Sequence, residues 1–578
     1  MWINNFERLD HPCHSPPHRK RKIVKRKFSK LPKFTTIRET VKSVSGTFTS
    51  AIHISVSWMN HLKRSIRNMA TLTPLAHLKP PRNEGMKTLD KSKFTLNRKV
   101  WALLLPEIRY INQFLGRKTK TANSGSIALS IPQYPSLAEY EKDQLSQSVF
   151  EKVSPKNPKL KALLLREDIH VTENDLKHSK EDTHVPELLR EKVSEELYSQ
   201  LKELNAIYTI YDLRFDFDYW SYDDLLKAVL PDELVDQCPS AFTIAGHLAH
   251  LNLKEQYMPY RKIIGEIILE KFPNIKTVVN KTNNITSEFR TFEMEILAGE
   301  DNFVVTQKEC GCLFTFDFQK VYWNSRLATE HERLINSFKA GDIVCDVMGG
   351  VGPFAVPAGK TPCLVFANDL NPESYKYLKI NINQNKVDSF VKPSNLDGRD
   401  FIKQSPRIIT EFQKGSPSIK YSPKNISTKP SGKKQKTGSA EDNEEGQNRK
   451  KKVSEFVVPK FPSHYVMNLP DMAMQFVSAF IGLYSNGFPD LTKEEVMTME
   501  GYKLPIVNVH HFEKYKEEEI EGDVEKELER RIHAKVVDQL KYDIPIDAIS
   551  FHVVRQVAPC KLMYCVSFQL PEPVAFAA

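Results

Sequence analysis

The chain has 578 residues, a mean hydropathy of −0.43 and a net charge of +10, which is room for three or four domains. No apolar run reaches the ~20 residues a transmembrane helix needs, so a membrane span is excluded. Eight cysteines in this length exclude a disulfide scaffold; neither Cys310-Gly311-Cys312 nor Cys560 to Cys565 has the paired spacing of a zinc site, so reduced thiols and no metal are expected.

The charge sits at one end. Residues 1–90 hold 18 Lys and Arg against five acids, a net +13, while the remaining 488 residues carry −3. Residues 1–90 therefore read as a basic leader outside the fold. His18–Lys30 resembles a nuclear or nucleic-acid-binding run, and Ile52–Arg67 a basic amphipathic helix of the transit-peptide kind. A mitochondrial address and a plain basic arm fit this composition equally.

Residues 91–204 mix an apolar stretch (Val100–Leu105) with a helical pattern over Val185–Leu204, and read as an N-terminal accessory domain. Residues 205–322 read as an α+β middle domain: a strand from Ile207, helices at Tyr222–Leu230 and Ile263–Lys271, then alternating segments suited to antiparallel strands. From 323 to 578 strands alternate with helices, the pattern of a mostly parallel α/β sheet. Residues 405–459, rich in Lys, Ser, Pro, Asn and Gln, read as a disordered insert in a surface loop. The expected fold class is α/β, a Rossmann-like domain preceded by smaller α+β domains.

Three motifs follow in order. Asp346-Val-Met-Gly-Gly-Val-Gly-Pro, after a buried strand, places Gly350 and Gly352 where a backbone comes close to a ligand. Asn368-Asp369-Leu370-Asn371-Pro372 ends the next strand, with Asp369 23 residues after Asp346, where an acid suits ribose hydroxyls. Both features fit NAD or S-adenosyl-L-methionine. Pro353 removes an amide donor and Asp346 adds negative charge, both adverse to a pyrophosphate, so the phosphate-free sulfonium cofactor is favoured. Asn468-Leu469-Pro470 stands where amino methyltransferases carry Asn/Asp-Pro-Pro-aromatic, with Leu469 and Asp471 departing from that form. Taken by itself it is a turn ending a strand. Upstream, Asn324 or Ser325 caps a helix bearing Arg326, Glu330 and Arg333 on one face.

The run K-V-Y-W-N-S-R-L-x-T-E-H-x-R-L, then D-V-x-x-G-V-G-P-F-A-V-P, A-N-D-L-N-P-E-S, N-x-D-G-x-D-F and M-N-L-P, resembles the eukaryotic and archaeal tRNA guanine-N1 methyltransferases that act at position 37. Gly246–Leu253 and the closing V-A-P-x-K-x-M-Y-C belong to the same likeness, which spans roughly 205–570. The family's D-V-F-A-G-V-G loop has Met348-Gly349 in place of Phe-Ala here, a change of similar volume.

The resemblance implies a class I methyltransferase domain that uses S-adenosyl-L-methionine and binds tRNA through its anticodon stem-loop and body, as a monomer. It implies Glu330 as the base for the N1 proton, Arg290 as donor to O6, and Asn468 at the point of methyl delivery; partial burial would raise the Glu330 pKa and Arg326, one turn away, would counter that rise, so its direction stays open. It implies His331, Asp369, Leu370, Asp397, Gly398 and Asn468 as cofactor residues beside Gly350 and Gly352. Position-37 methylation guards reading frame, which implies work for the matrix, nucleus and cytoplasm. Two other readings stay open: a wybutosine-pathway aminocarboxypropyl transferase, and a catalytically silent tRNA-binding protein. The N-D-L-N-P motif and the retained Glu330 and Arg290 oppose them.

Overall fold

The computed structural model describes residues 78–104, 127–131, 134–140, 160–166, 193–204, 206–285, 292–421, 454–520 and 522–577. Strands β1 (Leu96–Leu104), β2 (Leu137–Tyr140), β3 (Leu160–Leu164) and β4 (Ile207–Phe215) form an antiparallel sheet in the order β2-β3-β1-β4. The period-two alternation of β1 divides its side chains between two cores. Trp101 and Leu103 pack with Tyr198 and Leu201 of α1 (Glu195–Glu203); Val100, Ala102 and Leu104 face α2 (Tyr222–Val229) and α3 (Arg261–Lys271). Ser221 caps α2 through the amide of Asp224, and the helix stops before Pro231.

A second sheet runs β5 (Thr243–Ala245), β6 (Leu248–Leu251), β7 (Thr277–Ile285), β8 (Phe292–Gly299), followed by the hairpin β9 (Val304–Glu309) and β10 (Cys312–Asp317). The open edge of β10 is sealed by two asparagines of a later helix. Asn381 Oδ1 accepts from the Thr315 amide at 2.8 Å, and Asn385 Oδ1 from the Leu313 amide at 3.0 Å. Phe314, Phe316 and Val305 thereby share a buried core with Val344, Phe354 and Val356 of the next domain.

That domain is a seven-stranded sheet, β13-β12-β11-β16-β17-β19-β18. β11 (Ile343–Asp346), β12 (Leu364–Asn368), β13 (Val391–Ser394), β16 (His464–Met467) and β17 (Ile506–Lys514) are parallel; β18 (Ile549–Ala558) and β19 (Lys561–Gln569) close it antiparallel. α4 (Ala328–Ile335), α5 (Ala355–Lys360) and α6 (Pro372–Asn385) cover one face; α7 (Gly398–Gly415), the 3₁₀ segment Ala473–Phe480 and α8 (Val524–Leu540) cover the other. The chain leaves β11 outward to β12 and β13, then returns to β16 on β11's other side. This reversal opens a crevice at the carboxyl ends of β11 and β16. Among the described residues no helix is long and apolar enough to cross a membrane.

Three sequence boundaries shift. The leader does not extend to residue 90: the Asn83 and Gly85 amides bond to the Ala228 and Val229 carbonyls, the Leu89 amide to Glu266, and Leu78 and Met86 pack on the first core. The division at 204/205 cuts through one sheet, because β4 pairs with β1 across nine residues. The insert is narrower than 405–459. α7 continues to Gly415 with Ser405, Pro406 and Ile409 buried, and β14 (Ser418–Tyr421) pairs with β15 (Ser454–Val457). Ser405 Oγ meets Tyr465 OH at 2.6 Å inside the core, and Phe456 packs edge-on against Phe390. Residues 422–453 lie outside the described residues.

Tyr421 and Ser454 face each other across the hairpin, so a short Gly-Ser turn can span them. Replacing 422–453 by such a turn is expected to leave the melting temperature within a few degrees of wild type. Joining Gln404 to Lys460 removes buried Ile409 and Phe456, at ~2–5 kcal/mol for each large side chain lost, and is expected to unfold the domain in the same calorimetric scan.

Candidate active site

The loop after β11 is built on glycine. Gly350 has φ +53°, and its amide donates to Asp369 Oδ2 at 2.8 Å. Gly352 has φ +97°, and a Cβ there would lie 2.7 Å from Val356 and 2.9 Å from Leu378. The loop must therefore be glycine to lie flat across the strand ends. Beneath it is a cavity of about 150 Å³ whose wall includes His331, Gly350, Asp369, Leu370 and Asn468. These five were named from sequence, and the fold brings them together. Gly352 shapes the loop without forming the wall. Asp397 and Gly398 stand outside the wall: Asp397 Oδ1 caps α7 through the Arg399 amide at 2.8 Å, and Gly398 packs against Phe476 and Val347. Arg290 lies outside the described residues.

His331 Nδ1 lies 2.5 Å from Glu309 Oε1, both buried, and the imidazole packs edge-on against Phe354 at 4.7 Å. Asp369 is tied by the Gly350 and Asn371 amides; burial still holds its carboxyl above the usual range. Asp346, on the neighbouring strand, is fully buried, and neither carboxylate oxygen has a hydrogen-bond partner among the described residues. Burial first, then repulsion from Asp369, pushes its pKa up to about 8, against the opposing pull of His510 and the nearby Ala355 amide. Asn468 Oδ1 is another buried acceptor without a partner. A fully buried acid behind the loop, a carboxylate in the cavity wall and an unfilled acceptor suit a cationic ligand with hydroxyl groups and oppose one bearing phosphates. S-adenosylmethionine fits this donor set: Asp369 and Asn468 stand in the wall, for the ribose hydroxyls and the positive part, and Asp346 adds its charge from behind the glycine loop.

Glu330 has the opposite environment. It is buried and lies in neither cavity wall. Arg333 Nε and Nη2 donate to its Oε2 and Oε1 at 2.6 and 2.8 Å, and His510 Nε2 donates to Oε1 at 2.8 Å. Burial works against its charge, but the Arg333 and His510 hydrogen bonds outweigh that and hold its pKa down to about 2. Of the two directions left open from sequence, the structure gives the lowered one, and the countercharges are Arg333 and His510, not Arg326. For His510, burial disfavours the imidazolium, yet Cys565 and Glu330 push its pKa up to about 10. Glu330, His510 and Cys565 place carboxylate, imidazole and thiol within 4.8 Å of one another. Because Arg333 already occupies both carboxylate oxygens, this set carries no argument for a metal.

A second cavity of about 350 Å³ adjoins the first, the two sharing Tyr322, Trp323 and Asn324 as a wall. It is lined by Phe318, Trp323 and Phe512, with His250, Arg326 and Arg555 as polar groups. Trp323 stacks on Phe316 at 4.7 Å, and its buried Nε1 has no partner among the described residues; nor has His250 Nε2. Sequence reasoning missed His510, Glu309, His250 and Arg555 as site residues. His250 stood inside the quoted Gly246–Leu253 motif and was within reach; Glu309 and His510 meet their partners only through the tertiary fold.

Residues 222–302 match the family pattern described as the TYW2 N-terminal domain, and residues 305–421 the TRM5/TYW2 methyltransferase domain. The chain is 40% identical over 504 residues to the tRNA (guanine(37)-N(1))-methyltransferase of Candida albicans, covering 87% of this chain and 99% of that one. It is 41% identical over 510 residues to the protein of the same name from Saccharomyces cerevisiae, covering 86% and 95%. The chain belongs to the tRNA (guanine(37)-N(1))-methyltransferase family. A crystal structure of Trm5b from Pyrococcus abyssi is similar at 20% identity, with a TM-score of 0.44 over 82% of this chain and 98% of that one. In this family member the catalytic-domain match ends at Tyr421, where β14 ends.

Proposed function

We propose that this chain transfers the methyl group of S-adenosylmethionine to N1 of guanosine 37 in tRNA, and so guards reading frame. One observation carries the reading beyond family membership: the cavity walled by Asp369 and Asn468 shares its Tyr322-Trp323-Asn324 wall with a larger, aromatic-lined cavity. A purine extruded from the anticodon loop can enter the larger space and meet the smaller one edge-on. Phe318, Trp323 and Phe512 offer ring faces, and Arg326 and Arg555 offer positive charge to flanking phosphates.

The bound cofactor supplies an electrophilic methyl on sulfur. The chain supplies the rest. N1 of guanine carries a proton at neutral pH, so a base must remove it as the new N–C bond forms. Glu330 is that base in this reading; its carboxylate is ionised throughout the physiological range and must slip Arg333 to receive a proton. Arg290 is assigned to O6 by resemblance, a guanidinium fork suited to developing oxyanion charge. Asn468 Oδ1, on the shared side of the smaller cavity, orients the guanine edge, and Asp369 grips the ribose.

The test is methyl transfer to a guanosine-37 transcript and to its adenosine-37 variant, with Glu330→Gln alongside. The guanosine transcript is expected to gain one methyl mass at position 37 and the adenosine variant none. Glu330→Gln is expected to slow single-turnover transfer by ~10²–10⁴-fold while cofactor affinity stays near wild type. Gain of an aminocarboxypropyl mass, or binding without transfer, would overturn the assignment.

The excess of basic residues in the leader supports delivery of part of the enzyme to the mitochondrial matrix besides the nucleus and cytoplasm. Each phosphate contact steepens the log–log salt dependence of RNA binding by about 0.7–0.9. Deleting residues 1–74 is expected to leave that slope for tRNA unchanged and to abolish mitochondrial uptake. A shallower slope would make the leader an RNA-binding arm instead.

A further inference from the structure

A base buried as deeply as Glu330 must discharge the proton it collects before it can act again. Its side chain is 3% exposed, so water does not reach it freely. The groups around it come from three strands and its own helix. His510 on β17, Cys565 on β19 and His552 on β18 are direct cross-strand neighbours in one row across the sheet, beneath Glu330 and Arg333 of α4. Asp346 of β11 faces His510 from the other side.

Most of this ring cannot take a proton. Arg333 stays cationic and has no acceptor. His510 is fully buried and already holds both its protons at neutral pH, since its pKa is pushed up to about 10. Cys565 is fully buried beside His510, with no exposure through which to pass a proton on. His552 differs. Its Nε2 lies 3.6 Å from Glu330 Oε2, the oxygen His510 leaves free, and its side chain is 44% exposed. Burial first, then Arg333, lowers its pKa, so the imidazole is neutral with an open lone pair at neutral pH.

We propose that His552 is the proton exit of the active site, carrying the guanine N1 proton from Glu330 to bulk solvent. This inference rests on Glu330 being the base. The N1–H bond breaks with its electron pair left on nitrogen for the methyl; the proton passes to Glu330 Oε2, then to His552 Nε2, then to a solvent or buffer base. His510 keeps its protons and fixes Oε1, so that Oε2 is the oxygen that works. His552 touches neither substrate nor cofactor and acts through Glu330.

His552→Gln tests this without threatening the fold, because the side chain is half-exposed. In dilute buffer the first turnover is expected to stay within about twofold of wild type, while steady-state turnover falls about tenfold or more and recovers on adding imidazole. Wild type is expected to show no response to imidazole. Unchanged steady-state turnover in the variant would overturn the relay. A parallel loss in first and later turnovers, without imidazole rescue, would overturn it in favour of a structural role. Glu330→Gln measured beside it separates the two ideas: normal first-turnover chemistry in that variant removes the base itself, whatever His552→Gln does.

Discussion

Two carboxylates at the ends of adjacent parallel strands, Asp346 fully buried and Asp369 half-buried in the cavity wall, constrain what surrounds them. Asp346 ends β11 and Asp369 follows β12, and the sheet register leaves neither free to move away. Backbone amides satisfy Asp369, whereas Asp346 has unpartnered oxygens and a pKa pushed up to about 8. Such a group costs stability until something positive approaches it. The glycine loop above is shaped so that the approach is possible. Chemical preference and backbone shape thus point to the same ligand, a cation carrying ribose hydroxyls.

Glu330 shows the other way of burying an acid. Arg333 and His510 neutralise it within hydrogen-bond distance, so it is held ready as a carboxylate but weakly basic. Reactivity then depends on loosening one partner while keeping the other. Arg333 is 36% exposed and free to yield, and His510 is locked in the sheet. The asymmetry lies in burial, not in charge: His510 is fully buried and Arg333 is not.

The cofactor signature was legible because it is local. A buried strand, a glycine loop and an acid at the end of the next strand fall within 27 residues, 343–369, and the five wall residues named from sequence converge on one cavity. What escaped is what the sheet assembles. His510 lies 180 residues from Glu330 and is brought to it only by the placement of β17. Without it, burial and a neighbouring arginine left the direction of the Glu330 pKa open. β1 and β4 are separated by about a hundred residues, so their pairing was invisible and a domain boundary was drawn between them. Pro406 and its serine-rich surroundings read as linker, although Ile402 and Ile409 continue the buried face of α7 across the proline.

If the Asp346–Asp369 pair defines the site as a cation receptor, binding must depend on the cofactor's positive sulfur and on pH. Calorimetric titration of S-adenosylmethionine and of neutral-sulfur S-adenosylhomocysteine between about pH 6 and 9 measures this directly. Asp346 becomes anionic as the pH rises through about 8 and adds negative charge behind the loop, so S-adenosylmethionine affinity is predicted to rise up to about pH 8 and then level off. S-adenosylhomocysteine is predicted to rise less, and Asp346→Asn to erase the difference. Parallel profiles for the two ligands in the wild-type protein would contradict the claim.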